Sequence, residues 1–187
     1  MPDIAPVRAD ARRNRQKVLD AAATVFGQKG AAASTEEVAA LASVGIATVF
    51  RHFPTKQALL EAIVLARIER LVAQSREIEA SAGDDAFFTV FALFLEEAVN
   101  KRVFGDVVTG ASDDFRAANR VVVEELWAVF ARLIARGQQA RLVRPDFDVA
   151  DMRALLAGAH QALQVAGDDP ARQRRLLEVL ADGVRAR

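Results

Sequence analysis

Residues 34–56 read STEEVAALASVGIATVFRHFPTK, and the punctuation of this stretch decides the fold. Ser34 followed by Glu37 is a capping box, in which the hydroxyl accepts from the third backbone N–H of a helix and the carboxylate reaches back to the N–H of Ser34. Val38 and Leu41 give that helix a short buried face. After a brief turn, Gly45 can act as N-cap of a second short helix. This helix stops by His52, because Phe53 precedes Pro54 and a residue before proline avoids the helical region. The spacing turns Val38, Leu41, Val44, Val49 and Phe53 inward and leaves Ile46, Ala47, Thr48, Phe50, Arg51 and His52 on or near the exposed side.

Upstream, Val18, Ala22, Val25 and Phe26 follow i, i+4, i+7, i+8 from a helix starting near Arg12, and Gly30 supplies its left-handed stop. Val18, Ala22 and Phe26 are the surface on which the two short helices pack. A longer helix followed by two short ones across a tight turn is a helix-turn-helix arrangement, which exposes one helix while the others hold it. Downstream, Thr55 caps a long helix over residues 56–80, with Leu59, Leu60, Ile63, Val64, Ile68, Leu71 and Val72 on one broad face. Asp84 and Asp85 complement the positive end of the next helix, whose Phe87, Phe88, Val90, Phe91, Leu93, Phe94 and Leu95 run almost all round and mark a buried element. A short helix between turns is expected within residues 103–118. Val123, Leu126, Trp127, Phe130, Leu133, Ile134 and Gly137 then define an amphipathic helix ending near Arg141. Two more helices carry Met152, Leu155, Leu156, Ala159 and Leu163, and Leu176, Leu177, Leu180 and Val184, with a break at Gly167 and Pro170. The expected fold is all-α with about nine helices: a helix-turn-helix unit with a basic N-terminal arm over residues 1–55, and a helical domain over residues 56–187.

Composition narrows the function. The 187 residues include 52% hydrophobic and 27% charged side chains and no Cys, which removes thiol catalysis, thiolate zinc sites and disulfides. No stretch approaches the roughly 20 apolar residues of a membrane span, and the first 17 residues contain no apolar run, so a soluble, cytoplasmic protein without a membrane partner is expected. Two His, no Tyr, and no G-x-S-x-G, Walker, G-x-G-x-x-G or H-E-x-x-H motif argue against an enzyme and supply no cofactor or metal site. Paired carboxylates such as Asp84-Asp85 sit near helix starts, where they serve the helix dipole. The 25 basic and 25 acidic residues cancel, yet residues 1–56 carry 8 against 5 and the remainder 17 against 20. Arg8, Arg12, Arg13, Arg15 and Lys17 concentrate that excess, at a spacing suited to an anionic backbone.

The small residues Gly45, Ala47 and Thr48 let the second short helix sit deep in a groove, with Thr48 able to bond phosphate or a base edge and Ile46 able to meet a thymine methyl. Arg51, His52 and Lys56 are candidates for phosphate. Residues 15–60 resemble the DNA-binding domain of the tetracycline-repressor (TetR) family of bacterial transcription regulators. The likeness rests on Ala21, Ala22, Phe26 and Gly30, on the capping segment 34–37, and on TVFRHFPTK at 48–56 against the family's T-L-Y-x-H-F-x-x-K. The turn RLVRPD at 141–146 is similar to that of one subgroup. Two departures stand out: Ser43 where the family usually carries Gly, and Phe50 where it usually carries Tyr, whose hydroxyl would bond a phosphate. The candidate DNA contacts are Arg13, Thr35, Glu36, Gly45, Ile46, Ala47, Thr48, Phe50, Arg51, His52 and Lys56.

The resemblance implies double-stranded DNA with a palindromic operator as partner, repression as the default, and a small inducer that enters the C-terminal domain and moves the long helix. A pocket, if one forms among the core aromatics, is expected to be mostly apolar, with Phe88, Phe91, Phe104, Trp127, Phe130, His160 and Gln164 as candidate lining. The apolar stripes of the last two helices exceed what one partner helix could cover, so Leu155, Leu156, Leu163, Leu176, Leu177 and Leu180 are expected to form a homodimer surface. The alternative is a helical adaptor that binds another protein through those helices.

Overall fold

In the computed structural model, residues 4–100, 115, 117, 119–167 and 169–186 are described. The first element, α1, spans Ile4–Lys29 and so begins two turns before Arg12. The basic stretch expected as an arm is therefore helical: its Ala and Arg residues are strong helix formers, and Arg13 pairs with Asp10 one turn back. Gly30, with φ of 59°, takes the left-handed conformation that ends the helix, and a 3-10 turn over Gly30–Ala32 follows.

The two short helices are α2, Thr35–Leu41, and α3, Ile46–His52. With α1 they enclose a core of Val18, Ala22, Val25, Phe26, Val38, Val49 and Phe53. The long helix α4, Lys56–Ser81, starts on Thr55, whose hydroxyl accepts from the Ala58 N–H at 3.0 Å. Leu59 belongs to the N-terminal core, Val64 and Ile68 to the second core, and Leu60 touches both, so the division expected at 55/56 falls just ahead of a helix shared by the two cores.

The second core is built by α4, α5 (Ala86–Asn100), α6 (Arg120–Gln139), α7 (Val149–Ala166) and α8 (Pro170–Val184). These make eight α-helices among the described residues, without a strand. The short helix expected within 103–118 lies largely outside the described residues. Helix α5 is central, packing on α4, α6, α7 and α8, as its near-continuous apolar surface demands. Phe87, Phe91 and Phe130 are at most 1% exposed at its heart. Helix α4 is also fastened at its surface: Arg67 pairs with Glu97 on α5, Arg76 with Glu125 on α6, and Arg132 of α6 grips Glu79 with two bonds of 2.6 and 2.8 Å. Arg136 donates to the carbonyls of Glu79 and Ala82 at 3.1 and 2.8 Å, closing the C-terminal end of α4.

Candidate DNA interface and dimer face

The geometry of α2 and α3 is set by local chemistry. The Ser34 hydroxyl accepts from the Glu37 N–H at 3.2 Å and the Glu37 carboxylate accepts from the Ser34 N–H at 3.0 Å. Lys29 at the end of α1 pairs with the same carboxylate, tying the capping box to the preceding helix. Glu37 is consequently held below the ordinary carboxylate pKa, first by the Lys29 hydrogen bond and then by the Ser34 N–H.

The turn out of α2 is a Schellman motif. Ser43 N–H bonds Ala40 O at 3.1 Å, Val44 N–H bonds Ala39 O at 3.0 Å, and Ser43 has φ of 55°. Serine thus occupies the left-handed position that the family usually gives to glycine. Val44 folds back onto the N-terminal core, and Gly45 is the N-cap of α3 with extended backbone, as its sequence position suggested. Val49 is fully buried and Phe53 nearly so, which fixes the rotation of α3 about its axis.

That rotation places the candidate residues. Gly45, Ile46, Ala47, Phe50, Arg51, Lys56, Arg13 and Glu36 are exposed, and Thr48 and His52 are half-buried. The Lys56 ammonium lies 5.5 Å from the Phe26 ring centre and the Arg15 guanidinium 5.1 Å from that of Phe53, so both cations frame the unit while resting on its core. Thr35 departs from the expectation. It is buried, with its hydroxyl 3.4 Å from the Glu36 carboxylate. Leu41 departs in the other direction. Expected in the core, it is 54% exposed, since Val38, Ala39 and Ala42 already fill the inward face of α2.

In the second core, Phe91 and Phe130 are buried, Trp127 lies 5.9 Å from Phe130 between ring centres, and Arg153 caps the outer face of Trp127 at 4.6 Å. Phe88 sits between Phe87 and the Arg185 guanidinium, at 5.1 and 4.2 Å. His160 and Gln164 are half-buried one turn apart on α7. Phe104 lies outside the described residues. The cavities formed by described residues include one of about 60 Å³ between α1 and α4 and two open grooves of about 570 and 510 Å³ along the α7–α8 hairpin, none lined by the expected ligand residues.

The hairpin divides the leucines expected at a dimer surface between the core and its outer grooves. Leu163 is buried, and Leu155, Leu156, Leu177 and Leu180 pack against the second core, because α5 lies directly beneath them. The two grooves are lined by Ala154, Gly158, Gln161, Ala162 and Val165 on α7 with Leu176, Val179 and Gly183 on α8. Leu155, Leu180 and Leu176 reach these grooves by one edge. Val165 and Val179 are 78% and 68% exposed, and their i+11 and i+7 positions relative to Ala154 and Arg172 were the signal for this face.

The hairpin is joined to the turn after α6, a second Schellman motif. Arg141 has φ of 57°, and Leu142 N–H bonds Gly137 O at 2.9 Å. Arg144 N–H bonds Val184 O at 3.0 Å and Ala186 N–H bonds Leu142 O at 2.9 Å, pinning the chain after α8 to this turn. A side chain on Gly137 would stand 2.6 Å from Val143 Cγ2, so glycine is required for the approach.

Comparison with known proteins agrees with this architecture. Residues 18–63 match the family described as bacterial regulatory proteins, tetR family, and residues 82–186 match the C-terminal domain described as transcriptional regulator SbtR-like. The crystal structure of a TetR transcription regulatory protein from Mycobacterium vanbaalenii is 34% identical, with 97% of this chain and 100% of that one covered and a TM-score of 0.70. A TetR transcriptional regulator from Streptomyces coelicolor is 29% identical over 92% of this chain and 98% of that one, with a TM-score of 0.66. The HTH-type transcriptional regulator UidR of Escherichia coli K12 is 32% identical over 72 residues, a stretch that spans 38% of this chain and only 37% of that relative. With an exposed recognition helix held on a buried frame, a second helical domain and these likenesses over nearly the whole chain, the protein belongs to the TetR family of DNA-binding bacterial transcriptional regulators.

Proposed function

We propose that this regulator is a ligand-released repressor that binds a palindromic operator as a homodimer. The observation that carries the reading is the pairing of two outward faces: α3 turned to solvent just ahead of α4, and the small-residue face of the α7–α8 hairpin in the second domain. Two copies joined through the hairpins by a two-fold axis would present two α3 helices, which must stand roughly 34–36 Å apart to enter successive major grooves. Helix α4 carries side chains of both cores, so a shift of its C-terminal half would alter that separation. The inducer in this reading is a small, mostly apolar molecule beside Phe91, Trp127 and Phe130, with His160 and Gln164 as the polar groups that orient it.

The test is selection of genomic DNA fragments by the purified protein at about 100 mM salt, followed by sequencing. An enriched palindrome whose binding weakens steeply with salt supports the reading. Non-palindromic fragments bound by single chains would contradict it, and a protein complex that survives the same rise in salt without DNA would favour the adaptor.

A further inference from the structure

We propose that the regulator reads its operator through thymine methyl groups, using the exposed apolar side chains of Ile46 and Phe50 on α3 and of Leu41 at the end of α2. The proposal rests on the DNA-binding role of the family. Large exposed apolar side chains are few among the described residues: Leu41, Ile46, Phe50, Val121, Val165 and Val179. Val165 and Val179 belong to the hairpin face, whereas Leu41, Ile46 and Phe50 fall within ten residues of the helix-turn-helix, at 54%, 37% and 42% exposure. Ile46 and Phe50 are one helical turn apart and share a face of α3 that borders the buried Val49.

The polar chemistry of the same surface is sparse. From residue 41 to residue 50 the chain offers no Arg, Lys, Asn, Gln, Asp or Glu, and hence none of the side chains that make bidentate contacts with guanine or adenine edges. Ser43 lies in the turn and Thr48 is half-buried. The first cation on α3 is Arg51, in its last turn, whereas base contacts of a recognition helix come from its N-terminal residues. Gly45 and Ala47 allow close approach of the backbone, and a side chain built on Gly45 would meet nothing within 4 Å. The apolar feature of the major groove is the C5 methyl of thymine, so it is the group on which exposed Ile, Leu and Phe side chains gain by desolvation. The half-sites accordingly carry thymines under Ile46, flanked by positions under Leu41 and Phe50.

The experiment takes a duplex enriched in the selection and replaces its thymines one at a time by deoxyuridine, which lacks only the methyl. Expected is a roughly fourfold loss of affinity per methyl at one or more positions in each half-site. With Ile46→Ala, affinity for the thymine duplex falls while the penalty at the matching uridine position disappears. Unchanged affinity at every uridine would overturn the proposal and leave DNA binding standing. So would penalties that persist in full in Ile46→Ala, Leu41→Ser and Phe50→Ala alike. A failure to enrich any duplex would overturn the DNA-binding role itself, and the proposal with it.

Discussion

The helix-turn-helix unit and the α7–α8 hairpin both keep apolar side chains in water, and they do so by opposite constructions. In the first, Val38, Val49 and Phe53 close the core completely, and Leu41, Ile46 and Phe50 project from a frame whose neighbours are cations. In the second, most of the leucines pack onto the core, and what remains outside is a face of mainly Ala, Gly and Val, edged by Leu155, Leu176 and Leu180, along open grooves. A projecting patch on a rigid, basic unit suits insertion into a groove. A flat face of small residues suits close approach of another flat face.

The largest expected effect separates the two. Gly158 lies where both grooves meet, and a side chain there would touch nothing within 4 Å of its Cβ. Gly158→Arg should therefore leave the fold intact by circular dichroism, yet bury an unpaired charge in the dimer at about 3–5 kcal/mol. Sedimentation should find monomers at concentrations where the unsubstituted protein is dimeric, whereas Ile46→Ala should leave the dimer unchanged. Next in size is Gly137→Ala. Its methyl group meets the nearly fully buried Val143, and the overpacking should cost about 1–3 kcal/mol in chemical denaturation. A neutral result would show that the turn can move off α6.

Phe50→Tyr returns the hydroxyl usual in the family, but with the ring over a thymine methyl that hydroxyl meets no phosphate, and operator binding should not tighten. Binding tightened roughly fivefold by fluorescence anisotropy, the worth of one phosphate hydrogen bond of about 1 kcal/mol, would place position 50 against a phosphate and remove Phe50 from the thymine-reading patch. Ser43→Gly and Arg141→Gly bear on the two Schellman turns. Each relieves a left-handed residue at the expense of glycine's chain entropy, a net gain of roughly 0.5–1 kcal/mol in stability. A gain at one turn and not the other would show that the turns are not equivalent.

The smallest effect is electrostatic. Because Lys29 and the Ser34 N–H lower the pKa of Glu37 in the folded protein, its contribution to stability is present above its ordinary 4.5 and is lost as pH falls through the folded value. The melting-temperature difference between the parent protein and Glu37→Gln should accordingly be greatest near neutrality and narrow progressively below pH 4.5. A difference that persisted unchanged in acid would place the role of Glu37 in packing.

The same contrast explains what could be read in advance. The helix-turn-helix was legible because its determinants are local: Ser34 and Glu37 are three residues apart, Gly45 starts α3, and Pro54 enforces its end. Even the departure at Ser43 was visible against the family pattern, although its φ of 55° was not. Leu41 was misplaced because periodicity assigns a face to a helix without knowing how wide the facing surface is. Ala39 and Ala42 filled the space reserved for Leu41. In the hairpin the long-range part was larger. The apolar stripes were read correctly, but which side of each stripe meets α5 is a tertiary fact, so leucines expected at the dimer surface proved mostly to face the core. Val165 and Val179, 78% and 68% exposed, lie outside those leucine stripes, and a single exposed valine is no signal by itself.

The central claim is that two chains act together, hairpin to hairpin, so that two α3 helices meet one operator. The most direct measurement is the mass of the complex on a single selected duplex, by sedimentation or native mass spectrometry, combined with a footprint on both strands. Two chains per duplex are predicted, protecting half-sites one helical turn or a multiple of it apart, with Gly158→Arg failing to form the complex. One chain per duplex with an asymmetric footprint, or a Gly158→Arg protein that binds the operator as the parent does, would contradict the account.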